Sequence, residues 1–381
     1  MSSVCYKGSR RLTRNYIPPT SRSCCLTNSK KPKPATTTDV PSYTSRVSLT
    51  NTSEQSRNLK WDQTRLMKKC EVQPNSLLGR FNITKYVTAA EVSNNQTNMK
   101  VKYGGVYRPS NCVSEQTVAI IIPYRDREEH LNILVNLLHN ILQRQQLQYG
   151  IYVVEMALPV QFNRGLLANA GFLNAHSIGN YSCYIIHDVD LIPVNDHNIY
   201  KCGSSPKHLS VTNTKFPHGL PYPEYVGGVI ALSHEQYIKV NGFSNLFFGW
   251  GGEDDDLYKR MEASSMIIER PPVHTGTYIA LPHKMDSSNP PNPYRDVLMS
   301  QSALRKDRDG ITSVQFSRKA LEFRTLYTWM LIDCTESEVI QNVGHVKLTQ
   351  ETFMQGKHLE KQPLFNMKRR VKVVQRGKVE P

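Results

Sequence analysis

Between residues 117 and 333 the chain alternates short apolar runs with longer amphipathic ones. Val118-Ala-Ile-Ile-Ile-Pro123 is an uninterrupted apolar run, the pattern of a strand covered on both faces. The next stretch, Glu128 to Leu142, places Leu131, Leu134, Val135, Leu138 and Leu142 at helical spacing with acids at its start. A strand at Tyr149 to Glu155, a helix at Arg164 to Ala175 and a strand at Cys183 to His187 continue the series. Such alternation predicts an α/β fold with a Rossmann-like, mostly parallel central sheet flanked by helices, whose ligands sit at the carboxyl ends of the strands. Further along, the pattern predicts strands at Lys207 to Val211 and Tyr225 to Leu232. It also predicts helices at His234 to Val240 and Glu253 to Ala263, a loop from Pro271 to Arg295, and closing strands at 313–316 and 323–333.

The two ends lack any sustained period. Residues 1–60 are rich in Ser, Thr, Asn, Pro and Lys and read as a disordered basic stem or linker; residues 335–381 read as a basic, low-order tail. The net charge of +15 is concentrated there: residues 1–60 carry 11 basic and 2 acidic side chains, and residues 335–381 carry 9 and 5. The body from 61 to 334 is close to neutral, so no nucleic-acid partner is expected. Of the eight cysteines none forms a CxxC pair, which argues against a zinc ribbon. Sequons at Asn51, Asn82, Asn95 and Asn180 are compatible with a lumenal or secreted chain. No apolar run reaches about 18 residues and no hydrophobic signal core follows Met1, so neither an anchor nor a signal peptide is visible.

Candidate chemistry gathers in four runs. Phe247 to Asp256, FFGWGGEDDD, sets Trp250 and two glycines before four consecutive carboxylates. They can serve as the acidic first turn of a helix, or as a site that uses their charge. Asp188-Val-Asp190, directly after an apolar strand, suits a hard divalent cation shared with phosphates, or is merely a polar strand end. Pro123-Tyr-Arg-Asp-Arg127 at a strand end and Phe162-Asn-Arg164 just before a helix start, where backbone amides favour anions, pair aromatic rings with guanidiniums. Arginine forks suit phosphates and an aromatic ring can stack a base, although each run alone fits a surface ion pair. Together the last three runs describe a pocket for a nucleoside diphosphate and a metal.

These runs, with FNRGLLANAGF at 162–172, DVDLIPVNDHNIYKC at 188–202, PYPEYVGGVIALS at 221–233 and GFSNLFFGWGGEDDDLYKRM at 242–261, resemble the β-1,4-galactosyltransferases of the GT-A fold. The resemblance runs from Cys70 to about Asp333 and makes 61–334 a GT-A catalytic domain. It implies inverting, metal-dependent transfer of galactose from UDP-galactose to the 4-hydroxyl of a terminal GlcNAc or related sugar on a glycoconjugate. Pro123, Tyr124, Arg125, Asp126, Arg127, Phe162, Asn163, Arg164, Val189, Asp190, Trp250 and His283 would hold the UDP-sugar, and Asp190 and His283 a Mn²⁺ or Mg²⁺ ion. Asp254 would be the general base. Tyr222, Gly252, Glu253, Asp254, Asp255 and Arg295 would bind the acceptor, while Asp256 supplies charge at the helix start. Trp250 would ride on a glycine-hinged lid. His187 and His274 are rival imidazoles for the metal.

Tyr225 matches the position that selects the donor, where a phenol favours galactose and a smaller aliphatic residue admits N-acetylgalactosamine. A GalNAc transferase of the same family is the alternative, and a carbohydrate-binding protein with weak or lost turnover is another. The resemblance also implies disulfides Cys70–Cys112 and Cys183–Cys202 and a place in the Golgi lumen or membrane. It implies no obligate protein partner. One departure stands out: Ala280 replaces a methionine that ligates the metal in many members.

Overall fold

The computed structural model describes residues 67–81, 100–283 and 289–343, so the expected stem, most of the tail and the sequons at 51, 82 and 95 lie outside the described residues. The strands are β1 (Val106–Tyr107), β2 (Thr117–Tyr124), β3 (Gln148–Met156), β4 (Cys183–His187), β5 (Leu191–Pro193), β6 (Lys207–His208), β7 (Thr212–Asn213), β8 (Val229–Ser233), β9 (Thr277–Ala280), β10 (Ser317–Phe323) and β11 (Thr328–Asp333). The helices are α1 (Glu128–Arg144), α2 (Arg164–Ile178), α3 (His234–Lys239), α4 (Glu253–Ala263), α5 (Arg295–Ser300), α6 (Ser302–Arg305) and α7 (Glu336–Val343).

The main sheet runs β10-β11-β3-β2-β4-β8-β6, with β1 pairing the first part of β3. Its centre, β11-β3-β2-β4, is parallel, as the unbroken apolar runs predicted. Both flanks are antiparallel, with β10 on β11 and β8 between β4 and β6. Period two sorts β2 cleanly: Val118, Ile120 and Ile122 pack in one core with the apolar stripe of α1, while Ala119 and Ile121 pack in the other with α2. Because β3 and β4 flank β2 on opposite sides, the crossover helices diverge there and leave a crevice at the carboxyl ends of the strands. Both expected disulfides are formed, Cys70–Cys112 and Cys183–Cys202. Closing loops of 42 and 19 residues, they restrict the unfolded chain by about 3–4 kcal/mol each.

Several boundaries differ from expectation. The loop expected from Pro271 to Arg295 contains β9, which pairs with β5 and β7 in a second sheet; four residues are too short for a periodic signal. Tyr225 to Gly228 are not strand, and β8 starts only at Val229, after Gly228 at φ +90°. The closing strand expected at 313–316 forms instead as β10, in a hairpin with β11. The domain does not end at 334 either: α7 lies in the expected tail, with Val339 and Val343 buried in the α2-side core. Among the described residues no helix is long and apolar enough to cross a membrane.

The helix carrying the acidic run is held from below by buried ions. Asp256, expected to be helix-start charge, is fully buried and accepts from Arg260 Nε at 2.5 Å and Arg305 Nη2 at 2.9 Å. Both guanidiniums also pair with buried Asp309, which takes a further bond from Ser244 Oγ at 2.5 Å. Asp256/Arg260 and Arg305/Asp309 are each spaced i, i+4, one turn of helix apart, and that is the clue in the sequence that marks them. Removing one partner strands a buried charge. Arg260→Met is therefore expected to cost about 3–5 kcal/mol in urea unfolding; a loss well under 1 kcal/mol would show that the quartet does not anchor α4.

Candidate active site

The expected site residues gather at the carboxyl ends of β2, β3 and β4 and at the start of α4, and they are held in distinct ways. At the end of β2, Tyr124 is buried in the α1-side core and its hydroxyl accepts from Arg127 N at 3.1 Å. Its ring is not available to stack a base, contrary to expectation; Pro123, one residue earlier, is likewise buried in the sheet. Phe162 is the half-buried ring at this end, with the Arg125 guanidinium 5.3 Å from its centroid and Arg125 Nη1 bonded to Val160 O at 2.8 Å. Asp126 is exposed at φ +48°, and Arg127 leads into α1. Asn163 is also reassigned: fully buried, its side chain caps α2 through Leu166 N at 2.8 Å and donates to Asn245 O at 2.7 Å.

Arg164, the first residue of α2, turns toward the carboxylates. Its Nε donates to Asp188 Oδ1 at 2.6 Å and its Nη2 to Gly228 O at 3.2 Å. Burial opposes its charge, but Asp188, Glu253 and Asp254 outweigh burial and raise its pKa. Val189, next along, is half-buried against the α1-side core. Asp190 points elsewhere, its Oδ2 meeting Lys215 Nζ at 3.1 Å and His283 Nε2 at 3.3 Å. The backbone brings His283 there: Leu191 pairs with Ala280 across β5 and β9, and Leu281 N donates to Asp190 O at 2.8 Å. The two rival imidazoles fall away. His187 is buried, bonded to Asp188 O and Tyr200 OH, with burial lowering its pKa to about 4; His274 is exposed in the loop before β9.

The acidic run forms the first turn of α4, entered through Gly252 at φ +95°, a backbone that favours glycine. A Cβ there would come within 2.9 Å of Phe247 and 3.2 Å of Arg295 Cβ, so Arg295, at the start of α5, lies against this turn. Tyr222 OH donates to Asp255 Oδ1 at 2.7 Å. Asp254 and Tyr225 converge on Gly227, where a Cβ would sit 2.4 Å from Asp254 Oδ2 and 2.5 Å from the Tyr225 hydroxyl. Burial, then Asp255, pushes the Asp254 carboxyl up to about 6; burial, then Asp254, pushes Glu253 up to about 8. Trp250 is 62% exposed between glycines of positive φ, its backbone paired with Pro290 O and Asn292 N.

Two family models match this chain: the N-terminal region of glycosyl transferase group 7 over residues 70–203, and the N-terminal domain of galactosyltransferase over residues 207–284. Over 274 residues it is 43% identical to β-1,4-galactosyltransferase 1 of Bos taurus, covering 71% of this chain and 67% of that one. It is 46% identical to β-1,4-galactosyltransferase 4 of Cricetulus griseus over 236 residues, 62% of this chain and 68% of that one. The chain belongs to the β-1,4-galactosyltransferase family. It spans 59% of the length of human β-1,4-galactosyltransferase 1, at 45% identity over 62% of this chain. A crystal structure of a Drosophila β-1,4-galactosyltransferase 7 mutant in complex with manganese, UDP-Gal and xylobiose shares the fold, at 24% identity and a TM-score of 0.50. That alignment covers 60% of this chain and 98% of that one.

Within this galactosyltransferase family member, several site residues escaped the sequence reading. Lys215 sits in an aperiodic turn and so carries no pattern. The pairing of Arg164 with Asp188 joins positions 24 apart in sequence and is visible only in three dimensions. The raised Asp254 pKa has a stability consequence. A carboxylate whose folded pKa is raised costs the fold stability as pH rises from the ordinary carboxylate range through the folded value. Asp254→Asn should therefore melt higher than wild type above about pH 7, with the gap closing below about pH 4; equal melting temperatures at both ends would contradict the buried, crowded setting of Asp254.

Proposed function

We propose that this chain transfers galactose from UDP-galactose to the 4-hydroxyl of a terminal GlcNAc or related sugar on a glycoconjugate, with inversion at the anomeric carbon. The observation that carries the reading is the convergence of Asp254 and Tyr225 on Gly227, beside an exposed Trp250 and in the field of Arg164. Asp254 takes the proton of the acceptor hydroxyl, and the acceptor oxygen so freed attacks the anomeric carbon as the bond to UDP breaks. A pKa near 6 keeps Asp254 ionised at neutral pH yet basic enough to accept the proton. Glu253, Asp255, Tyr222 and Arg295 orient the acceptor, and Arg125 and Phe162 hold the nucleotide. Tyr225 crowds the donor's C2 substituent and favours galactose over N-acetylgalactosamine. Trp250 closes over both sugars, its flanking glycines serving as hinges.

A carboxylate oxygen that already draws an ammonium and an imidazole nitrogen suits a divalent cation, so Asp190 and His283 would hold Mn²⁺. When bound, the cation neutralises the charge that builds on the departing diphosphate. The Drosophila relative binds manganese and UDP-Gal in its crystal structure, which supports this assignment. Disulfides fit an oxidising lumen, and we place the chain in the Golgi on that ground.

The deciding experiment is transfer from UDP-galactose and UDP-GalNAc to GlcNAc, glucose and xylose acceptors with Mn²⁺. Wild type should prefer UDP-galactose and a GlcNAc acceptor. Asp254→Asn should lose at least about 100-fold in kcat while binding UDP as well as wild type. Metal-dependent UDP binding without any product would instead make the chain a binding protein on this fold, the reading that Ala280 favours.

A further inference from the structure

The segment from Pro223 to Gly228 carries Tyr225 into the site but belongs to no strand, so its carbonyls must find partners other than a sheet ladder. Side chains supply them at every second residue. Arg270 Nη2 donates to Pro223 O at 2.8 Å and to Tyr225 O at 3.1 Å. Gly227 O accepts from His208 Nε2 at 2.8 Å and from Ser210 Oγ at 3.0 Å. The two larger donors are themselves joined, because Arg270 Nε donates to His208 Nδ1 at 3.4 Å. That pattern fits an imidazole whose one proton sits on Nε2, toward the Gly227 carbonyl. The backbone sets Arg270 beside β6: His208 N donates to Glu269 O and Glu269 N to Pro206 O, each at 2.9 Å. His208 also meets Tyr225 directly, its ring standing edge-on to the phenol with centroids 5.8 Å apart; Phe216 and Tyr222 make similar contacts at 6.0 and 5.5 Å. The residue whose carbonyl His208 holds, Gly227, is the one against which the Tyr225 hydroxyl and the Asp254 carboxylate lie.

We propose that Arg270 and His208 are positioning residues for donor choice, bracketing residues 223–227 so that the Tyr225 phenol stays where it crowds the donor's C2 substituent. The inference rests on the donor-selecting role given to Tyr225 above and adds the support behind it. A phenol excludes an N-acetyl group only while it cannot swing aside, and a displacement of about 1 Å in a positioning group changes rates by up to about 100-fold. The hydrogen bonds of Arg270 go to backbone carbonyls and an imidazole, so its influence on the sugar passes through the segment it holds. Charge-assisted bonds to carbonyls suit that task, being shorter and stronger than neutral ones. Selectivity then depends on the bracket as well as on the identity of residue 225.

The test uses the full chain and reads the ratio of kcat/KM for UDP-galactose to that for UDP-GalNAc, with Mn²⁺ and a GlcNAc acceptor, alongside UDP affinity by calorimetry. Arg270→Met should lower the ratio about tenfold or more while UDP binds as in wild type. In a Tyr225→Leu background the same substitution should change the ratio no further, since two residues acting through one element are not additive. A wild-type ratio in Arg270→Met, or an equal drop in both backgrounds, overturns the proposal. His208 gives a second reading that does not depend on how Arg270→Met folds. His208→Gln keeps an amide donor for Gly227 O and should hold the wild-type ratio, whereas His208→Ala should lower it; equal ratios in the two variants also overturn the proposal. Tyr225→Leu alone separates the two levels of the argument. If it lowers the ratio and Arg270→Met does not, only the bracket fails; if it leaves the ratio unchanged, the donor-selecting role of Tyr225 fails and the bracket with it.

Discussion

The Arg164 guanidinium lies where carboxylates from separate elements, the end of β4 and the start of α4, would otherwise repel one another. Its Nε donates to Asp188 at 2.6 Å, two residues before the metal-type Asp190, and its charge acts on Glu253 and Asp254 at the start of α4. Among buried groups a cation so placed is what keeps neighbouring acids ionisable: without it, burial and mutual repulsion would drive both α4 carboxyls toward their protonated forms. The site is therefore one electrostatic unit. On the proposed roles, the metal half hangs from the end of β4 and the base half from the first turn of α4, and a residue of α2 joins them.

That arrangement requires a rigid frame on both sides. The parallel strands β2 and β4 fix where Asp188 and Asp190 emerge, and the Cys183–Cys202 bridge closes the chain segment that carries them. On the other side, α4 is held through the Asp256–Arg260–Arg305–Asp309 quartet, so the acidic run splits by direction. Asp254 converges with Tyr225 on Gly227, Asp255 accepts from Tyr222, and Asp256 ties the helix to the core. Removing charges from the quartet and removing them from the crevice have opposite expected consequences for stability, because the quartet is paired and the crevice is crowded with like charge.

The parts legible in the sequence are those written as local patterns. The apolar run of β2, the amphipathic stripe of α1 and the DVD and EDDD clusters announced a parallel sheet with acids at strand and helix ends, and resemblance supplied the roles and the disulfides. What could not be read are tertiary facts. Tyr124 looked like a base-stacking ring but is buried, because its hydroxyl finds Arg127 N. Asn163 looked like a ligand but caps α2. Asp256 read as helix-start charge because Arg305, the second guanidinium that buries it, lies 49 residues away. The strand β9, which brings His283 to Asp190, is too short to show a period inside a proline-rich loop.

The claim that Arg164 couples the two halves is open to a direct reading in the acid limb of kcat/KM, which reports ionisation in the free enzyme. Wild type should lose activity as pH falls through about 6, the value to which burial and Asp255 push Asp254. In Arg164→Met, with the stabilising cation gone, the same limb should move to higher pH. A limb that stays at the wild-type position, with activity otherwise measurable, would contradict the account.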